Sequence, residues 1–289
     1  MAMNKNSVDS LFKKLGMDDK KRKAFYASRI ARVAPNHHIA IDGTLEQETR
    51  VVNDLSSFSY KARIEGCSGF SVIYAYVIET MEILCSEIFP GDSIDASSFS
   101  VFIKDNNITD GILVAEIGSP VSSIAEDRNE VPNLHFIRPI QSFDPRILEY
   151  GTLDFDEVVA DTDTSVVGKK VALPDGTYLY AFRDSYRASM EECSVITNAK
   201  KEKSFDSEEY LSHKDTYGLI VFESDVDLTL SQVYKCYEDK PLLELLFAQY
   251  RAEESLDQTN VQGDYSFIGE EFVNFIATVM TSRIMRKAD

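Results

Sequence analysis

Three acidic residues sit where an α/β chain does its chemistry. Asp42 closes a strand-like run, His38-Ile-Ala-Ile-Asp-Gly43, with Ile39 and Ile41 on one face and Ala40 and Asp42 on the other. Glu116 ends Gly111-Ile-Leu-Val-Ala-Glu116, a continuous apolar run of the kind that fills a buried parallel strand. Glu244 falls inside a long late helix. Open α/β sheets bind ligands at strand ends, and an acid terminating a buried strand is poor packing material. Two central strands and a crossing helix can bring three such carboxylates together. An oxygen cluster of that kind takes Mg²⁺ or Mn²⁺ and leaves positions for water and phosphate. Two ions about 3.5–4 Å apart activate an attacking hydroxyl and stabilise the leaving oxygen of a phosphodiester. Singly, each acid has an ordinary reading as well: Asp-Gly as a turn, Glu on a helix as a solvated charge.

The late helix carries a second pattern. Tyr237, Lys240, Glu244 and Arg251 fall within about 60° of one another at 100° per residue, while Leu242, Leu243, Leu245, Leu246 and Phe247 take the other sides. The cations of this stripe either flank the Glu244 carboxylate and contact phosphate, or form an ordinary surface pairing of Lys240 with Glu244. The connection Leu55 to Arg63, with Phe58, Tyr60, Lys61 and Arg63, is a nucleic-acid contact by stacking and charge, or a plain surface loop.

The elements that must position these residues can be read along the chain. Val8 to Val33 has helical spacing of Leu11, Phe12, Leu15, Phe25 and Ile30, and Pro35-Asn36 ends it. After the Asp42 strand comes a polar connection, Thr44 to Ser68. Phe70 to Ile78 and Ile83 to Phe89 then form a hairpin, separated only by Glu79 to Glu82. A helix over Asp95 to Asn106, the Glu116 strand, a helix over Ser122 to Asn129 and a strand over Leu134 to Ile140 follow. Three antiparallel strands feeding two right-handed crossovers make a mixed sheet covered by helices. The stretch Gln141 to Lys214 differs: β patches at Lys169 to Leu173 and Tyr178 to Phe182 flank Pro174-Asp175-Gly176, and a charged helix spans Tyr186 to Lys203. Its apolar runs are short, so it reads as an insertion. A strand over Tyr217 to Phe222, a helix capped by Thr229 or Ser231 and running to about Glu254, and an apolar helix over Phe272 to Met285 complete the chain.

Composition narrows the classes. The 289 residues, 44% hydrophobic and 27% charged, suit one large or two small globular domains and exclude disordered or collagen-like chains. No apolar run reaches membrane-spanning length, and Met1 to Lys14 lacks the apolar core of a secretory signal. Cys67, Cys85, Cys193 and Cys236 are far apart with no C-x-x-C pair, so they read as reduced thiols of a cytoplasmic protein. There is no P-loop or G-x-G-x-x-G, and His37-His38 is a weak metal pair because adjacent strand residues face opposite ways. A net charge of −18 argues against a broad phosphate-binding surface. The charge is uneven, however: Met1 to Ala34 holds nine Lys or Arg against three Asp, a local +6. That stretch is a solvated helix face or a local site of attraction for nucleic acid.

In this order, Ile39-Ala-Ile-Asp-Gly-Thr44, Leu55 to Arg63, Gly111 to Glu116, Tyr237 to Arg251 and Asp257-Gln-Thr-Asn-Val-Gln-Gly263 resemble the DDE transposases of bacterial insertion sequences. The resemblance covers roughly Phe25 to Met285. The family's Y-x-x-R-x-x-x-E signature, with Lys seven residues on, falls on Tyr237, Lys240, Glu244 and Arg251. The resemblance implies an RNase H-like mixed sheet flanked by helices, with a β-rich insertion before the last catalytic helix. In segments, it implies a basic helical piece over 1–34, the core over 35–140, the insertion over 141–214 and the rest of the core over 215–289. It further implies that Asp42, Glu116 and Glu244 bind two Mg²⁺ or Mn²⁺ ions. The substrate would be double-stranded DNA, as transposon ends and target, cut and joined by a homodimer in a synaptic complex at the nucleoid. Lys61, Arg63, Tyr237, Lys240 and Arg251 would be the DNA contacts. The chain departs from the family at Glu116, where relatives carry Asp, at Lys240 for Arg, and at Pro241 for an aromatic residue. Glu for Asp moves a carboxylate by about one methylene, where ligand geometry tolerates about 0.5 Å. Lys gives up the bidentate grip of Arg, and proline removes a helix hydrogen bond. The alternative is therefore a catalytically silent relic that keeps DNA or partner binding.

Overall fold

The computed structural model describes residues 5–48, 57–58, 68–90, 96–114, 131–162, 165–239, 258–259 and 263–288. The chain divides into two compact units, one made of Met1–Leu113, Ser119–Leu134 and Lys240–Asp289, the other of Val114–Gly118 and His135–Asp239.

The first unit begins with α1 (Lys5–Met17) and α2 (Asp19–Ile30), so the single helix expected over Val8 to Val33 is broken at Asp18. The break is built from the sequence. Asp18 caps α2 by accepting from Lys21 N–H, and the Arg22 guanidinium donates to the Leu15 and Gly16 carbonyls at 2.6 Å, closing the end of α1. The strands are β1 (His38–Glu48), β2 (Ser57–Phe58), β3 (Ser68–Val77) and β4 (Glu82–Pro90); α3 (Ala96–Asp105) and β5 (Asp110–Val114) follow. β3 and β4 form the expected hairpin, with a register shift between Ala75 and Tyr76. β3 pairs antiparallel with β1 from Ile39↔Val77 to Gln47↔Gly69, and β5 neighbours β1 as well. Near its end β1 also pairs, in parallel, with β11 (Gln258–Thr259), so the sheet is mixed.

A long helix, α8 (Asp264–Ala288), closes this unit; it begins eight residues before the expected Phe272. α8 crosses α1 at backbone distance. A Cβ on Gly16 would lie 1.7 Å from the Tyr265 carbonyl oxygen, and one on Gly269 would lie 1.9 Å from that of Phe12. Phe25 and Tyr26 of α2 stack edge-on against Phe272 and Phe275 of α8 at 5.0–6.2 Å, forming the aromatic part of the core.

The second unit is an antiparallel sheet in the order β6 (Asn133–Ile140), β10 (Leu219–Ser224), β9 (Tyr178–Asp184), β8 (Val166–Ala172), β7 (Glu157–Val158). The β8–β9 hairpin turns where Pro174-Asp175-Gly176 predicts it, with Gly176 at φ +85 and Asp175 accepting from Thr177 N–H. On one face α4 (Pro145–Glu149) places Ile147 against Ala181, Leu219 and Val221. On the other, α7 (Leu230–Glu238) sets Tyr234 on Phe182 at 5.1 Å. Between strands and helices run α5 (Ser185–Glu202) and α6 (Ser207–His213). Thr229 caps α7 in a capping box with Gln232. α7 stops at Glu238 with Asp239 as its C-cap, so the helix expected to run unbroken to Glu254 is interrupted there. Pro241 supplies the reason: it has no N–H for the Tyr237 carbonyl, and it disfavours helical geometry in the residue before it. The expected helix over Ser122 to Asn129 lies outside the described residues.

Candidate functional site

Asp42 is the fifth residue of β1, and the strand runs on through Gly43 to Glu48. The acid therefore lies within the strand and does not close it, because β3 continues to pair with β1 as far as Gln47. Its side chain is partly buried, and its Oδ1 accepts the Gly43 N–H at 2.8 Å. Directly opposite on β3 is Tyr74, which shares its face of the sheet. Tyr74 is 1% exposed, and its hydroxyl donates to Glu271 of α8 at 3.2 Å. Glu271 is itself 3% exposed and also accepts from Asn274. On the same side, Tyr26 Oη and Ser86 Oγ are 3.1 Å apart. Burial pushes the Tyr26 phenol well above its usual value, so it stays neutral. Asp42 thus belongs to a polar patch of tyrosines and a buried carboxylate under α2 and α8. The sequence holds one signal for the extra acid: Glu271 lies four residues from both Phe267 and Phe275, on their apolar helix face.

Glu116, Glu244, Lys61, Arg63, Lys240 and Arg251 lie outside the described residues, as does Pro241. Among the described residues no group of three His, Cys, Asp or Glu side chains is placed to hold a metal ion. Tyr237 is described, in the second unit. Its ring lies 6.1 Å from Phe222 and 5.8 Å from Tyr234, with the Arg187 guanidinium over its face at 5.9 Å. Arg187 also donates to the Tyr237 hydroxyl at 2.5 Å.

His37 and His38 do not act as a pair. His37 Nδ1 accepts from Ala34 N–H. His38 Nδ1 lies 2.5 Å from Glu79 Oε1, and the His38 backbone N–H reaches both Glu79 oxygens. Burial alone pushes the Glu79 carboxyl up, but hydrogen bonds from His38 and from its own backbone N–H outweigh it and hold the group below its ordinary value. The basic N-terminal stretch divides in the same way between internal and external roles. Arg22 caps α1, while Arg29 is 3% exposed, donates to the Ile83 carbonyl and lies over Phe275. Lys13, Lys14, Lys20, Lys23 and Arg32 remain exposed.

Compared with solved structures, the chain is similar in fold to the piggyBac transposase, determined as a synaptic complex with hairpin DNA. The TM-score is 0.50 at 10% identity, covering 99% of this chain and 56% of that one. The chain thus has a transposase-like fold over little more than half the length of that protein. No family model and no curated protein sequence matches it.

Proposed function

We propose that this chain is a DNA transposase of the DDE kind, similar to those of bacterial insertion sequences, acting on double-stranded DNA at transposon ends and target. The observation that carries the reading is the placement of Asp42 within the central strand of a transposase-like fold, at the position the sequence resemblance gives to the first acid. The order of the first unit adds support. Three antiparallel strands, β1, β3 and β4, are followed by α3 and by β5 beside β1, as an RNase H-like core requires. In this reading 35–140 and 215–289 are the core and 141–214 is the insertion.

Asp42, Glu116 and Glu244 would hold two Mg²⁺ or Mn²⁺ ions, which supply Lewis acidity at a phosphodiester under attack by water and later by the freed 3′-hydroxyl. Asp42 suits such a role as a partly exposed carboxylate on a strand paired along its length, a hard oxygen donor on a rigid element. Lys61, Arg63, Lys240 and Arg251 would grip phosphates. Tyr237 would be a further DNA contact, its hydroxyl already accepting from Arg187. Two copies would meet in a synaptic complex. The test is strand cleavage of duplexes carrying the sequences that flank the gene, with Mg²⁺ or Mn²⁺. Cleavage is expected from the wild type and lost in Asp42→Ala, whereas equal cleavage by that variant refutes the site.

The end of α7 at Glu238 favours a second reading, a silent relic that still binds DNA or a partner. The helix that carries Tyr237 ends before Lys240, Glu244 and Arg251, which lie outside the described residues. Pro241→Trp with Glu116→Asp should then restore Mn²⁺ binding; a calorimetric titration without gain counts against this version.

A further inference from the structure

α5 is an 18-residue helix with no buried residue, and it ends on three cations: Lys200 and Lys201 in its last turn and Lys203 as its left-handed C-cap, at φ +54. All three are exposed. Elsewhere in the second unit the lysines of β8 are engaged, Lys169 with Asp156 at 3.7 Å and Lys170 with Asp227. Among the described residues no carboxylate pairs with Lys200, Lys201 or Lys203.

The helix itself turns the nearby acids away from these cations. Glu191 faces inward, accepting from the Gly218 N–H at 2.8 Å and from the Arg187 guanidinium at 2.6 Å. Val195, Asn198 and Glu202 follow on that side, lining the groove toward α6. At 100° per residue, Lys200 points about 180° from Glu191 and about 160° from Glu202, and Lys201 lies on the flank, about 100° from Glu202. Glu192, on the opposite flank, accepts from the Tyr210 hydroxyl.

The net charge of the chain is −18, and such a chain holds a polyanion only where its charge is locally reversed. A helix C-terminus carries about half a negative charge, so offsetting the macrodipole does not account for three lysines. The outward side of this turn carries no Arg, Asn or Gln to read base edges, whereas lysine is a point charge suited to phosphate. Duplex DNA presents one phosphate charge per about 1.7 Å of its axis, so a patch of this size meets about two or three of them. We infer that the last turn of α5 is a DNA-backbone contact, in which Lys200, Lys201 and Lys203 hold phosphates without sequence preference. The inference rests on the DNA reading above and adds to it a surface of the second unit that uses no acid of the proposed metal centre.

The salt dependence of binding tests it, read by fluorescence anisotropy on the full chain with a duplex of arbitrary sequence and about 30 base pairs, in EDTA so that nothing is cleaved. The Lys200→Gln/Lys201→Gln/Lys203→Gln variant should have a slope of log affinity against log salt shallower by about 3 than wild type, with unchanged circular dichroism. The corresponding triple Arg variant should keep the wild-type slope. A Gln triple that binds with the wild-type slope, whether or not it loses stability, overturns this contact alone. A wild type that binds no duplex at about 50 mM salt refutes the DNA reading together with it. Tighter retention of the wild type by phosphatidylserine vesicles than by the duplex overturns DNA as the partner of this surface.

Discussion

A carboxylate in the middle of a paired strand is held more firmly than one at a strand's end, and Asp42 gains its rigidity from the continuation of β1 to Glu48. Its neighbour Tyr74 ties the same face to α8 through Glu271. Tyr74→Phe takes a donor from a buried carboxylate and should cost about 1–2 kcal/mol, read as a lower urea midpoint at unchanged m-value. Glu79 gives a pH-dependent counterpart. Its folded pKa lies below the ordinary value, so its contribution is full above the unfolded pKa, about 4.3, and disappears as pH falls through the folded value. With a side chain 40% exposed, that contribution is about 1 kcal/mol or less. Stability curves of wild type and Glu79→Gln should therefore differ at neutral pH and converge as acid protonates the folded-state carboxyl; a constant gap would assign the effect to packing. The spacing of Asp42 and Tyr237 was legible in the sequence. Their partners were not: Arg187 lies 50 residues before Tyr237, and Glu271 lies 197 after Tyr74, separations that no local pattern encodes.

At the scale of elements, period and punctuation located most of the strands and caps. The hairpin, the strand ending at Ile140, the β8–β9 turn and the Thr229 cap stand where alternation, Gly176 and the N-cap preference for Thr or Ser put them. The misses have local physical causes. Asp18 competes for backbone N–H and splits a continuous helical pattern, and a strand does not stop at Gly43 when its neighbour offers five more partners beyond Asp42. The α1–α8 crossing depends on two glycines that read in the sequence only as weak helix formers. Gly269→Ala should push the helices apart and cost about 1–3 kcal/mol, lowering the thermal midpoint by several degrees. A variant as stable as wild type would show that the two backbones do not meet at this distance.

At the scale of the whole molecule, an acidic chain that handles DNA must do so through local charge. Two of the nine N-terminal cations, Arg22 and Arg29, are spent on the fold, which a count of residues does not reveal. Lys13 and Lys14 are exposed on α1. If that face touches phosphate, the Lys13→Gln/Lys14→Gln double variant should have a salt slope of DNA affinity shallower by about 2 than wild type; an unchanged slope removes α1 from the contact. The mixed α/β class was legible because alternating strands and helices leave few architectures. No local pattern can bring Asp42, Glu116 and Glu244 together, since convergence is a property of the folded chain.

The central claim is that Asp42 shares two divalent cations with Glu116 and Glu244. Mn²⁺ titration followed by electron paramagnetic resonance reads this directly. Two bound ions per chain with a spin-coupled signal are expected, lost in Asp42→Asn and in Glu244→Gln while the fold persists. The same Mn²⁺ stoichiometry in wild type and in both variants would contradict it.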